Sequence, residues 1–114
     1  MVNQIRDAYF AGIIDGEGFI GFSSNGKIKR PVVQVRMTCE KTINAIREHF
    51  ECGNISAMPP EKSHYKPSWM WRATNISSVI VLKRVAPYLI TKLDAANFVL
   101  NSPATKRGSR LFVG

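Results

Sequence analysis

Ala8, Gly12 and Gly16 recur every four residues along a proline-free stretch, 4–16, whose apolar spacing predicts a helix. One stripe of that helix has almost no side chain. A glycine inside a helix costs about 1 kcal/mol against alanine. A helix that carries two in one row points to another helix packed backbone to backbone against it. Phe10, Ile13 and Ile14 fall on the other side and are expected in the chain's own core.

The rest of the chain reads as strands and helices in alternation. Residues 18–24 (Gly-Phe-Ile-Gly-Phe-Ser-Ser) read as a strand and Asn25-Gly26 as its turn. From Val32 to Cys39 the pattern alternates, Val33, Val35 and Met37 on one face and Gln34, Arg36 and Thr38 on the other. Thr38 or Cys39 precedes a helix over 40–50, with Ile43, Ile46 and Phe50 on one stripe and Gly53 as its stop. A short strand, 54–58, and a loop, 59–67, lead to a second alternating strand, 68–74, with Trp69, Trp71 and Ala73 opposite Met70, Arg72 and Thr74. Asn75 is placed to cap a helix running to about Tyr88. A last helix covers 92–102, and Pro103 stops it. Both hairpins are apolar on one face and polar on the other. The expected fold is therefore α+β, a four-stranded antiparallel sheet with helices on one face. The domain is expected over 1–103, followed by a basic tail, 104–114, with Lys106, Arg107 and Arg110.

Charge narrows what the open face meets. Lys and Arg number 16 and Asp and Glu 8 in 114 residues, a formal charge of +8. A hydrophobic share of 45% is that of an ordinary globular chain. A chain this short buries only roughly two-thirds of its unfolded surface, so a partner subunit is expected. No apolar run reaches the roughly 18 residues of a membrane span, and the N-terminus lacks the form of a secretory leader. Cys39 and Cys52 are too few for a disulfide scaffold or a zinc finger and read as reduced intracellular thiols. His49 and His64 stand far apart, in no zinc-ligand pattern. A basic domain of this kind points to nucleic acid.

Asp15 and Glu17 sit in the last turn of the first helix and just past it. Carboxylates there oppose the helix macrodipole, by roughly a few tenths of a kcal/mol each. A bound cation reverses that sign, and carboxylate, helix-end carbonyl and water together suit Mg²⁺. The plainer alternative is a solvated helix end before a glycine-rich turn. The segment Phe10-Ala11-Gly12-Ile13-Ile14-Asp15-Gly16-Glu17-Gly18 resembles the LAGLIDADG motif of homing endonucleases. Seven of its nine positions are identical or close, with Phe10 for Leu and Gly16 for Ala. It opens an α-β-β-α-β-β-α order, and the resemblance covers essentially the whole chain.

The resemblance implies a saddle-shaped sheet and a homodimer, since the chain has one motif, with Ala8, Gly12 and Gly16 at the contact between two motif helices. It implies a metal-dependent endonuclease that cuts double-stranded DNA at a long pseudo-palindromic site, leaves 3′ overhangs and promotes intron homing. Glu17 maps onto the metal-ligating acid, with the Gly16 carbonyl as a second ligand. Asp15 maps onto an inner acid of structural or capping role. Lys92, in Pro87-Tyr88-Leu89-Ile90-Thr91-Lys92, matches the active-site lysine. Where the family often has Gln-Lys, this chain has Glu40-Lys41 preceded by Cys39, so Glu40 or Cys39 takes the Gln position. Mg²⁺ is the implied cofactor, Mn²⁺ substituting and Ca²⁺ binding without cleavage. The polar strand residues Ser23, Asn25, Gln34, Arg36, Thr38, Arg72 and Thr74 would face bases. Lys27, Lys29 and Arg30, with Lys62 and Lys66 in the loop, would meet phosphates. Any one of these is also an ordinary solvated side chain, but a pair of chains carries twice +8. The alternative on the same scaffold is a non-cleaving RNA maturase or DNA-binding regulator. A generic basic interaction domain is a third. The expected setting is intracellular, bacterial cytoplasm or an organelle, with no membrane partner.

Overall fold

The computed structural model describes residues 2–25, 28–60, 62, 66–103 and 105. Its elements are α1 (Val2–Glu17), β1 (Gly18–Asn25), β2 (Ile28–Met37), α2 (Glu40–Phe50), β3 (Asn54–Met58), β4 (Ser68–Thr74) and α3 (Ile76–Val85). A 3-10 turn (Ala86–Tyr88) and α4 (Leu93–Asn101) follow. The strands form one antiparallel sheet in the order β1-β2-β4-β3. This is the α+β architecture the alternation predicts. No described helix is long and apolar enough to cross a membrane.

The core follows from period two in the strands and 3.6 in the helices. Val33 and Val35 of β2 and Trp71 and Ala73 of β4 are fully buried, whereas Gln34 is half-buried and Arg36 exposed. The register pairs Val33 with Ile20 and Ala73, and Val35 with Trp71, so apolar side chains meet across the strands. Over that floor lie Phe10, Ala11 and Ile14 of α1, Ile43, Ile46 and Phe50 of α2, Val81, Leu82 and Val85 of α3, and Ala96 and Val99 of α4. Trp71 sits at the centre. Its ring stacks on Phe50 at 5.8 Å, and its Nε1–H donates to the Cys52 carbonyl at 2.9 Å.

Several local expectations are corrected. Asn75 occupies the position before α3 but its side chain makes no cap; its φ is 55°. Its carbonyl instead accepts the Ser78 hydroxyl at 2.6 Å, and its N–H donates to the Pro31 carbonyl at 3.0 Å, tying α3 to β2. The α-helix ends at Val85 rather than near Tyr88, because Pro87 brings no N–H and its ring crowds the preceding turn. The left-handed residue that ends α2 is Glu51, with φ 58°, ahead of Gly53. The helix expected over 92–102 spans 93–101, and Ser102 before Pro103 is extended. Of the tail expected over 104–114, only Thr105 lies among the described residues.

Candidate nucleic-acid interface and its acidic helix end

α1 delivers its last turn to a junction of three elements. Its exit is tight: a Cβ on Gly18 would stand 2.7 Å from the Ile14 carbonyl oxygen, so only glycine lets the chain turn from helix into β1 there. Gly18 pairs with Val35, which sets the α1–β1 junction beside the end of β2, just ahead of Cys39 and Glu40. The segment entering α4 closes the junction from the other side. The Asp15 carboxylate accepts the N–H groups of Ile90 (3.1 Å), Thr91 (3.0 Å) and Lys92 (2.8 Å), so α1 holds the segment that leads into α4. These bonds, the one from Thr91 foremost, hold its carboxyl below the usual Asp range.

Lys92 is the residue before α4, where a cation opposes that helix's dipole. Its Nζ reaches instead to the Asp15 carbonyl, at the carbonyl end of α1. α1 has no basic residue in its own last turn, so Lys92 supplies the charge its dipole favours. Glu17 is exposed, and no described residue donates to its carboxylate or pairs with it. Glu40 is exposed at the first position of α2. Cys39, before it, is drawn into the helix start: its Sγ accepts the Thr42 hydroxyl at 3.1 Å, and that bond leads the effects that lower its thiol pKa. Glu40 is thus the more available of the two for outside work.

The other side of α1 is open. Ala11 and Ile14 are fully buried, but Gly12 and Gly16 are exposed, and a Cβ on either would meet nothing within 4 Å. Ala8 is half-buried, and Ile5 and Tyr9 on the adjoining surface are each 65% exposed.

The sheet face away from the helices carries the polar strand residues. One cross-strand row runs Phe19–Gln34–Arg72–Asn54 over all four strands. Thr74 and Ser23 share this face, half-buried, and Lys29 and Arg30 project from the start of β2, both exposed. Arg36 is exposed and partly engaged, its Nε donating to the Ser68 hydroxyl at 2.8 Å. Arg72 is half-buried, and its Nε–H is buried without an acceptor among the described residues. Thr38 lies one residue past β2, and Lys62 and Lys66 lie exposed in the β3–β4 loop. Lys27 and the Asn25 side chain lie outside the described residues.

Sequence reasoning missed Phe19 and Asn54 on this face, and it missed a buried charge network. Asp7 of α1 accepts from Arg84 of α3 (Nη2, 2.7 Å; Nε, 3.3 Å) and from His49 Nε2 of α2 (2.6 Å). A carboxylate only accepts, so His49 carries its proton on Nε2, and the 3.1 Å approach of Arg84 to that nitrogen is two donors meeting at one carboxylate, not a hydrogen bond. Burial pushes the Asp7 carboxyl up, but bonds from Arg84 and His49 outweigh it and leave it lowered. The legible cue was the position of Asp7, seven residues before Ile14 on the buried side of α1.

No family model and no curated protein matches the sequence. Solved structures do. The homing endonuclease I-CvuI in complex with its target in Ca superposes with a TM-score of 0.72 at 18% identity, covering 99% of this chain and 85% of that one. The archaeal intron-encoded homing endonuclease I-Vdi141I, complexed with DNA, gives 0.68 at 19% identity, with 96% and 70% covered. The LAGLIDADG homing endonuclease I-GzeII with its DNA target gives 0.68 at 17%, with 95% of this chain covered. The chain spans 66% of I-CvuI in a second complex and 38% of I-GzeII. With Phe10–Gly18 closing α1 and opening β1, four antiparallel strands and helices on one face, the chain has the fold of the LAGLIDADG homing endonucleases.

Proposed function

We propose that the chain is one subunit of a homodimeric, site-specific homing endonuclease that cuts double-stranded DNA with a divalent metal. The observation that carries this reading is α1 itself. Its inner side is packed, and a Cβ added at Gly12 or Gly16 on its outer stripe meets nothing within 4 Å among the described residues. Its end holds a lysine and, among the described residues, a carboxylate without a partner. A second copy laid on the stripe brings two Glu17 side chains together.

Oxygen donors are what the junction offers: the Glu17 carboxylate and the Gly16 carbonyl at the exposed helix end. Among the described residues no three His, Cys, Asp or Glu side chains group within one chain. A site at the dimer axis draws on both copies, and hard oxygen donors fit Mg²⁺ or Mn²⁺. When bound, the metal supplies Lewis-acid stabilisation of charge at the scissile phosphate. Lys92 holds positive charge at the same helix end, where it meets phosphate. Asp15 holds Lys92 by its backbone. Glu40 adds a carboxylate at the junction. On the open face Ser23, Gln34, Arg36, Arg72 and Thr74 meet bases and Arg30 meets phosphate, with Lys29 reaching phosphate from the other face at the start of β2; Asn25 and Thr38 for bases and Lys27 for phosphate complete the set by the sequence reading. Cuts leave 3′ overhangs at a long pseudo-palindromic site and serve intron homing.

The test is cleavage of a genomic or randomised duplex library by wild type and Glu17→Gln, with Mg²⁺ and with Ca²⁺. Expected are cuts at one long site with Mg²⁺ alone, and binding without cutting by the variant. Cleavage that survives Glu17→Gln removes Glu17 from its role. A site bound but never cut under any metal transfers the reading to a maturase or regulator, tested next on structured RNA.

A further inference from the structure

Phe19 is an apolar side chain at the head of a polar row on the open face. It is 46% exposed, two residues from Glu17, and Ile28, at the start of β2 and 58% exposed, shares the face. Exposed apolar side chains scattered singly need no explanation. Phe19 differs in being held. Its ring lies across Gly21, where an added Cβ would stand 2.7 Å from Cζ and 3.2 Å from Cε2. Val32, the partner of Gly21 in the register, is 1% exposed although it stands outside the core cluster, so this part of the open face is packed and not loose. The ring therefore has a fixed seat at the head of the row that continues through Gln34, Arg72 and Asn54.

The chemistry of that row is apolar, amide, guanidinium, amide. Amides and guanidinium match adenine and guanine edges in a major groove. The apolar feature any base pair shows there is the C5-methyl of thymine. Phe19 is the second residue of β1, two positions past Glu17 at the end of α1, so on the reading above it lies toward the inner end of a half-site. We infer that Phe19 reads a thymine methyl in the inner part of each half-site and is a specificity-determining residue of this chain. The inference rests on the DNA-binding reading above, with the net charge of +8 supplying the complementarity to DNA.

The experiment selects bound duplexes from a random-sequence library with the purified protein in Ca²⁺. The preferred site is then synthesised with 2′-deoxyuridine replacing each thymidine in turn, which removes only the methyl. Expected is a thymine at one symmetric inner position per half-site. Its replacement weakens wild-type binding about fourfold, and replacement in both half-sites by about the square of that. Phe19→Ser binds both forms equally. Gly21→Ala, whose new methyl displaces the ring, loses the same discrimination while preferences elsewhere in the site stay. Matching melting curves establish that both variants fold. The inference is overturned if deoxyuridine has no effect at any position that Phe19→Ser alters. It is also overturned if Phe19→Ser weakens thymidine and deoxyuridine sites alike, which marks a wedge or a sugar contact. Recovery of no preferred duplex overturns the DNA-binding reading itself, and this inference with it.

Discussion

Asp15 joins residues 75 to 77 positions apart with one carboxylate, and its ionisation is part of the fold. The folded carboxyl ionises more readily than the unfolded one, whose ordinary value is 3.8. The contribution is therefore complete above that value and fades as pH falls below it toward the folded pKa. Thermal melts of wild type are expected to steepen in their pH dependence under about pH 4. Asp15→Asn keeps one acceptor oxygen, so it melts lower at neutral pH and shows less of that acid slope. A variant whose melting curve matches wild type at both ends of the range removes Asp15 from the role of holding the segment before α4. Glu17, two residues on, has no such partners among the described residues, so Glu17→Gln is expected to melt like wild type even where it fails to cut.

The elements divide α1 into two faces with opposite responses to mutation. On the inner face Asp7 holds Arg84 and His49 from α3 and α2. Asp7→Ala leaves a partly buried guanidinium without its counter-charge, and urea unfolding is expected to show a loss on the order of 3 kcal/mol. On the outer face a Cβ added at Gly12 meets nothing within 4 Å among the described residues, and Gly12→Leu points outward. The monomer should be as stable or more so, by up to about 1 kcal/mol from helix propensity. On the homodimer reading, sedimentation should show dimers for wild type and monomers for the variant, because the new side chain holds the second helix away. Much of this was legible in sequence. The helix over 40–50 and the strands over 54–58 and 68–74 follow from periods that neighbouring residues display. Asp15 and Lys92 were legible as candidates through the motif, but their mutual contact was not. Asp7, His49 and Arg84 are spaced by 42 and 35 residues, and no local period encodes such a meeting. Phe19 was hidden for another reason: it sits in a run, Gly-Phe-Ile-Gly-Phe, in which either phenylalanine fits the core by composition.

At the scale of the whole molecule, a sheet with one packed and one open face and a charge of +8 makes binding a matter of salt. The affinity for duplex DNA should fall linearly on a double-logarithmic plot. Lys29→Ala and Arg30→Ala should each reduce the slope by about 0.9 for every phosphate they leave unneutralised, with base preference unchanged. A shifted base preference would assign those two residues to readout instead. The span from Asp15 to Lys92 matters earlier in the protein's life as well. A chain made from its N-terminus has α1 and its acids almost at once, but the residues that fix the end of α1 follow 75 to 77 positions later. On the ribosome, the end of α1 is fixed only after all four strands have been made. A fragment cut short before Ile90 contains all four strand sequences and none of the N–H groups that hold the Asp15 carboxylate.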